Sequence, residues 1–196
     1  DIVLSLQLAE QLLNTTKYID EMLVKLYGMK PFYNCENVED LLPILEIVAR
    51  DGKPFIIVAE DISSQVLAAL IMNTVRGTMK ISAIKAPRYG QERRNILSDL
   101  AISVGATFIT RESGVNVKDI NLEHLGQAKT VEVLKYSTTI VDGKGDPEEI
   151  EKRIEALKVE IQQSNDMQEC EQIQERITRL ASGIAVINVG AATEIE

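Results

Sequence analysis

The sequence predicts a mixed α/β fold with a helical hairpin near its C-terminal end. The stretch "KPFIIVAED" is a short, almost wholly apolar run with polar ends, which is typical of a strand buried on both faces. It lies between two helical segments, and further strands and helices alternate after it. This alternation favours parallel strands joined by helical crossovers.

Composition and charge limit the classes of function. The chain has 196 residues, of which 45% are hydrophobic and 26% charged, as in ordinary globular domains. Its 30 acidic and 21 basic residues give a net charge of −9, so we expect no binding to nucleic acid or to an anionic membrane. No apolar run approaches the ~18 residues of a membrane span. Cys35 and Cys170 lack a CxxC partner and fit a reducing compartment.

The N-terminal part is predicted to be helical. Across residues 4–27 apolar residues recur at intervals of three and four, which predicts two helices joined at residues 14–16. The recurring apolar residues are Leu8, Leu12, Ile19, Met22, Leu23 and Leu26. "YGMKPFYN" then predicts a loop. A further helix follows in "NVEDLLPILEIVARDG", with Asn37 as its N-cap and Gly52 at its end.

After the "KPFIIVAED" strand, the order helix, strand, helix, strand is predicted. "QVLAALIMNTVRG" is a helix capped by Asp61 or Ser63 and stopped by Gly77. "MKISAIKAP" is a strand, "QERRNILSDLAISVG" a helix and "ATFIT" a short strand. "NLEHLGQAKTVEVLKYSTTIVDGKG" predicts a loop and two strands.

Residues 146–182 predict an antiparallel helical hairpin. Asp146 is the N-cap of its first helix, and Pro147 occupies the first helical position. Each helix carries one apolar face, formed by Ile150, Ile154, Leu157 and Ile161 in the first and by Cys170, Ile173, Ile177 and Leu180 in the second. A last strand is predicted in "GIAVINVGAATEIE".

Two neighbouring helices carry more apolar surface than one packed face uses. On a helical wheel the apolar arc of "QVLAALIMNTVRG" covers about 240°, against ~100–160° for a helix packed on one side. The helix before it carries two adjacent apolar stripes. Composition favours burial of both helices in a second layer, and the alternative is an exposed groove for apolar segments.

Residues suited to catalysis are few. His124 is the only histidine, and we expect it to lie on the surface or to cap a helix. Neither GxxxxGK[ST] nor GxGxxG occurs. The stretch "KAPRYGQERR" gathers Lys85, Arg88, Arg93 and Arg94 at a predicted helix start, where they could bind an anion, but the net charge favours a solvated face. The sequence therefore predicts no enzyme.

Several long segments resemble one known family. In order, they are "LLPILEIVARDGKPFIIVAEDISSQVLAALIMNTVRG", "IKAPRYGQERRNILSDLA", "LEHLGQAKTVEV", "TTIVDGKG" and "RITRLASGIAVINVGAATEIE". Together they resemble the type I chaperonin (GroEL) family from about Asn37 to Glu196. The matching region is that family's apical domain.

The resemblance implies a fold and a binding site. It implies a β-sandwich flanked by helices, with an apical domain at 32–183 and a strand toward an intermediate domain at 184–196. Residues 1–31, predicted from their apolar spacing to be helical, match no part of that family and form an atypical N-terminal segment. Two helices of that domain form a groove that captures non-native polypeptides and the co-chaperonin's mobile loop. The residues carried over to this groove are Leu42, Leu45, Leu67, Ile71 and Met72, together with Asn73 and Val38.

The resemblance also implies partners, cofactors and location. ATP and Mg²⁺ belong to the family's equatorial domain, so this chain should carry no cofactor and no ATPase activity of its own. The full-length protein is expected to form a homo-oligomeric ring in the bacterial cytoplasm or an organelle matrix. The alternative is a divergent paralogue that acts as a structural or interaction module without folding activity.

Overall fold

The computed structural model describes residues 19–26, 38–59, 62–110, 120–134 and 137–188. Within these ranges the chain forms one mixed sheet with helices on both faces. The helices are α1 (Val38–Asp51), α2 (Ser64–Val75), α3 (Gly90–Val104), α4 (Pro147–Gln163) and α5 (Met167–Ser182). The strands are β1 (Ile19–Leu26), β2 (Phe55–Ala59), β3 (Ile81–Lys85), β4 (Gly126–Val133), β5 (Ser137–Gly143) and β6 (Ile184–Asn188).

The six strands have the order β3-β2-β1-β4-β5-β6. Strands β1, β2 and β3 run parallel, with Leu23 opposite Phe55 and Phe55 opposite Ile81. Strand β4 pairs antiparallel with both β1 and β5, and β5 pairs antiparallel with β6. Strand β3 is therefore an edge strand, and its two ends lead to α2 and α3.

Two apolar clusters lie on opposite faces of the sheet. On one face Phe55 and Ile57 of β2 pack with residues of α1 and α2. On the other face Ile56 and Val58 pack with α3 and with β4, β5 and β6. All five side chains of β2 are buried, as predicted for a strand covered on both faces.

Helices α4 and α5 form the predicted antiparallel hairpin and have a small core of their own. The buried members of that core are Ile154, Leu157, Ile173, Ile177 and Leu180. The Asp146 side chain caps α4 by accepting a hydrogen bond from the Glu148 amide at 2.9 Å, and Pro147 is in the first turn, as predicted.

Two predictions of local structure are wrong. Residues 19–26 form strand β1 in the middle of the sheet, where a helix was predicted; pairing with β2 and β4 overrides a local apolar spacing that suits a helix. The stretch 106–110 contributes only an isolated bridge at Ile109, so "ATFIT" is not a regular strand. The backbone of this stretch is bonded to His124 instead, because the Thr107 amide donates a hydrogen bond to the His124 carbonyl at 3.0 Å.

The predicted β-sandwich is corrected to a single sheet within the described ranges. Residues 4–18 of the two predicted N-terminal helices and the cap Asn37 lie outside those ranges. The division of the chain at residues 31 and 183 stays a prediction. Among the described residues, no helix combines the length and the apolar character that a bilayer crossing requires.

Candidate functional site

The predicted contact residues of α1 and α2 are divided between core and surface. Leu45 and Ile71 are each 4% exposed and belong to the buried interior. Leu42 and Met72 are 44% and 50% exposed, and Leu67 is half-buried. Burial thus accounts for only part of the apolar arc: in α2, Val66, Leu70 and Ile71 are buried, whereas Met72 and Val75 are exposed. The contact role predicted for these residues stays a prediction, and Leu42 and Met72 are the most exposed of the five.

The remaining two predicted contact residues are Asn73 and Val38. The Asn73 side-chain amide donates to the Ala69 carbonyl at 2.9 Å, so this group is used within α2. Val38 is the first residue of α1, and its side chain lies outside the described part of the chain.

His124 has the capping role that the sequence predicted. It ends the short 3₁₀ turn Leu122–His124, where its Nδ1 accepts from the Asn121 amide at 3.3 Å and the Asn121 side chain accepts from the Glu123 amide. Cys170 is a half-buried free thiol, and Cys35 lies outside the described ranges. Within those ranges, no group of three or more His, Cys, Asp or Glu side chains could hold a metal ion.

Positive charge is concentrated around edge strand β3. Residues 75–98 contain six basic residues and one acidic residue, whereas the rest of the chain contains 15 basic and 29 acidic residues. We call these six residues the basic edge: Arg76, Lys80, Lys85, Arg88, Arg93 and Arg94. The first four are exposed, and Arg93 and Arg94 are half-buried on the first turns of α3. The basic edge is therefore positively charged, although the chain as a whole is negatively charged.

The segment Pro87–Gly90 joins β3 to α3, and we call it the corner loop. Its Pro87 is buried, whereas Tyr89 is 83% exposed. Arg93 fixes the loop from α3: its Nε donates to the Pro87 carbonyl at 3.2 Å, and its terminal nitrogen donates to the Arg88 carbonyl. The corner loop is thus tied to the helix that follows it and presents an aromatic ring to solvent.

Backbone conformation sets Arg88 and Tyr89 apart from their neighbours. Arg88 has φ +59°, a left-handed conformation that residues with a Cβ seldom adopt. Tyr89 is extended at the N-cap position of α3, where its side chain makes no capping hydrogen bond. The Arg88 guanidinium lies 3.4 Å from the Glu92 carboxylate; the arginine side chain is largely exposed and the glutamate side chain partly exposed. This ion pair is weak in water and can exchange for another anion.

The acidic residues are concentrated in the helical hairpin. Residues 146–182 contain ten acidic and five basic residues. The hairpin is joined to α3 by Asp99, whose carboxylate accepts from Arg176 at 2.6 and 3.1 Å and from Arg153 at 2.8 Å. Asp99 and Arg176 are buried, so this cluster holds the hairpin against α3.

Two lysines of α4 have a perturbed pKa. The hydrogen bond that Lys152 donates to Glu149, together with the negative charge of Glu149, raises the pKa of Lys152. Lys158 and Glu155 are related in the same way, which raises the pKa of Lys158. Both lysines are exposed, and because an ordinary lysine is already charged at neutral pH, the raised pKa does not alter their charge there.

Comparison with known families changes the functional interpretation. Residues 1–80 match the family model of the DNA polymerase II large subunit DP2, catalytic domain. The match covers 80 of 196 residues, from the N-terminus to the residue before β3. It is a similarity over less than half of the chain.

This match contradicts the chaperonin resemblance, and four predictions are wrong on that finding. They are the identification as a chaperonin apical domain, the capture of non-native polypeptides, the co-chaperonin and ring partners, and the exclusion of nucleic acid. The prediction that the chain is not an enzyme loses its support as well, because the matched domain is that of a polymerase. The sequence analysis identified the basic residues of "KAPRYGQERR" and set them aside on net charge, without weighing their local density.

Proposed function

We propose that this chain is a nucleic-acid-binding part of a polymerase-related protein, and that the basic edge contacts the phosphate backbone. The observation that carries the proposal is the reversal of charge around β3, where six basic residues accompany one acidic residue. The match of residues 1–80 to a DNA polymerase family supports it from a separate direction.

Local charge decides phosphate binding more than net charge does. The Debye length is about 8 Å at physiological ionic strength, so acidic side chains farther away are largely screened from a phosphate at the basic edge. Lysine and arginine that neutralise phosphates release condensed counterions, which supplies most of the sequence-independent affinity for nucleic acid. A chain with a net charge of −9 can therefore bind through one basic surface.

The length and edge position of β3 suit contact with the phosphate backbone of nucleic acid. Lys80 directly precedes β3 and Lys85 is its last residue, so about 16 Å of backbone separates them at ~3.3 Å per residue. Each strand of a duplex carries one phosphate per ~3.4 Å of helix axis, so the basic edge is long enough to contact several phosphates. Among the described strands β3 lies at the edge of the sheet, so none of them covers its outer side.

That this chain carries no cofactor of its own stays a prediction, as does its location in the bacterial cytoplasm or an organelle matrix.

Fluorescence anisotropy with labelled 20-nucleotide DNA tests the proposal. At 50 mM salt we expect the unaltered chain to bind with a dissociation constant of roughly 1–100 μM, as for non-specific binding. The double variant Lys80→Glu, Lys85→Glu should weaken binding at least tenfold. The matched control is Lys129→Glu, Lys144→Glu, which makes the same change of charge around Asp142 on the β4–β5 side. Absence of binding, or an equal loss in both double variants, would contradict the proposed surface.

A further inference from the structure

The corner loop carries an aromatic side chain that the fold does not bury. Tyr89 is 83% exposed and makes no capping hydrogen bond to α3. It lies directly after Arg88 and three residues before Glu92, within the basic edge. An exposed aromatic ring between cationic side chains is the combination that binds bases and phosphates of unpaired nucleic acid.

From this juxtaposition we infer that the corner loop binds a single-stranded segment of nucleic acid, with Tyr89 stacked on a base and Arg88 bound to an adjacent phosphate. This inference rests on the proposed function. It adds that the site prefers single-stranded over double-stranded nucleic acid and that Tyr89 is the residue that distinguishes them.

The loop is preorganised for such contacts. The two hydrogen bonds from the Arg93 side chain hold the carbonyl groups of Pro87 and Arg88. Burial of Pro87 fixes the start of the loop, and α3 fixes its end. Because the backbone is already ordered, stacking a base on Tyr89 costs little further conformational entropy.

Arg88 has a partner that a phosphate can replace. Its contact with Glu92 joins two side chains that are 67% and 40% exposed, at 3.4 Å. An exposed pair of this kind contributes little to stability, whereas arginine binds phosphate through two parallel hydrogen bonds. A phosphate next to a stacked base would replace the Glu92 carboxylate as the partner of the Arg88 guanidinium.

The aromatic ring explains the preference for unpaired nucleic acid. Inside a duplex the faces of the bases are covered by their stacked neighbours, which leaves only the two terminal base pairs for Tyr89, whereas every base of a single strand can stack on it. The cationic residues of the basic edge, by contrast, attract phosphates of either form. Removal of the ring should therefore affect single strands selectively.

Anisotropy measurements on the full chain with a 20-nucleotide oligothymidine and with a 20-base-pair duplex test the inference. We expect the unaltered chain to prefer the single strand. Tyr89→Ala should lower the single-strand affinity about tenfold and the duplex affinity less than twofold, in line with the contribution of one stacked base. Tyr89→Phe keeps the ring and should retain the preference, while circular dichroism checks that each variant is folded.

The outcomes separate this inference from the proposed function. Equal binding of both DNA forms that Tyr89→Ala leaves unchanged would overturn the inference and leave the proposed function standing. A Tyr89→Ala variant that weakens both forms equally would also overturn it, because the ring would then not discriminate unpaired bases. Failure of the unaltered chain to bind either form would overturn both.

Discussion

The Asp99 carboxylate accepts a hydrogen bond from the Arg176 guanidinium across 77 residues of sequence, with an Oδ2 to Nε distance of 2.6 Å. Both side chains are buried, and Arg153 donates to the other carboxylate oxygen of Asp99. Helix α3 is thus joined to both helices of the hairpin through one carboxylate. The position of the hairpin depends on this cluster together with the strand β6 that follows it.

We expect Asp99→Asn to destabilise the protein by about 3 kcal/mol, because it leaves the buried Arg176 without its counter-charge. Arg153→Gln removes a less buried donor and should cost about 1 kcal/mol. Urea denaturation measures both effects. Lys158→Gln, which breaks an exposed pair on α4, is the control and should cause no measurable change. Equal stability of Asp99→Asn and the unaltered chain would show that the cluster does not hold the hairpin.

Gly145 lies against the backbone at the end of α3, so we expect Gly145→Ala to destabilise the protein. A Cβ at Gly145 would overlap the carbonyl oxygen of Ile102 at the end of α3, and the Gly145 amide donates to Ser103 at 3.0 Å. We expect a loss of about 3 kcal/mol in thermal or urea unfolding. Gly77→Ala is the comparison, since Gly77 has φ +69° with open space around its Cα and should cost only about 1 kcal/mol. Equal costs would contradict the tight contact.

Arg88→Gly should weaken the binding of single-stranded DNA without lowering the stability of the protein. The left-handed backbone of Arg88 favours glycine, so this variant should unfold at an equal or slightly higher urea concentration, within about 1 kcal/mol. Its affinity for single-stranded DNA should nevertheless fall several-fold. Asp142→Gly relieves a similar φ of +56° away from the basic edge and should not weaken binding. A marked loss of stability in Arg88→Gly would assign the arginine a structural role.

Adjacent residues of α2 provide a matched pair. Ile71 is 4% and Met72 50% exposed, so a carboxylate is tolerated at one position and not at the other. We expect Ile71→Glu to unfold or to lose about 4 kcal/mol, and Met72→Glu to lose less than about 1 kcal/mol. Thermal unfolding followed by circular dichroism compares them. If both variants fold normally, Ile71 belongs to the surface that the sequence analysis predicted.

Much of the fold could be predicted from local patterns. The caps Ser63 and Asp146, the stops at Gly52 and Gly77, and the apolar faces of the hairpin all act over a few residues, and the structure confirms them. The "KPFIIVAED" strand was recognisable because a strand buried on both faces is apolar throughout.

Strand β1 could not be recognised in this way. Its apolar residues fall at helical spacing, and its strand conformation comes from pairing with β2 and with β4, which is more than 100 residues away in sequence. The basic edge was visible in the sequence but was judged by net charge, which is the wrong quantity at distances beyond the Debye length. The extreme exposure of Tyr89 and the left-handed φ of Arg88 are properties of the folded backbone and leave no local signal.

The salt dependence of single-stranded DNA binding tests the central claim most directly. If about four cationic residues of the basic edge neutralise phosphates, the logarithm of the association constant should fall linearly with the logarithm of salt concentration, with a slope near −3. Lys85→Ala should reduce the magnitude of that slope by roughly 0.7, the value for one phosphate contact with a single strand. A slope near zero, or a slope that Lys85→Ala leaves unchanged, would contradict the claim that this edge binds the phosphate backbone.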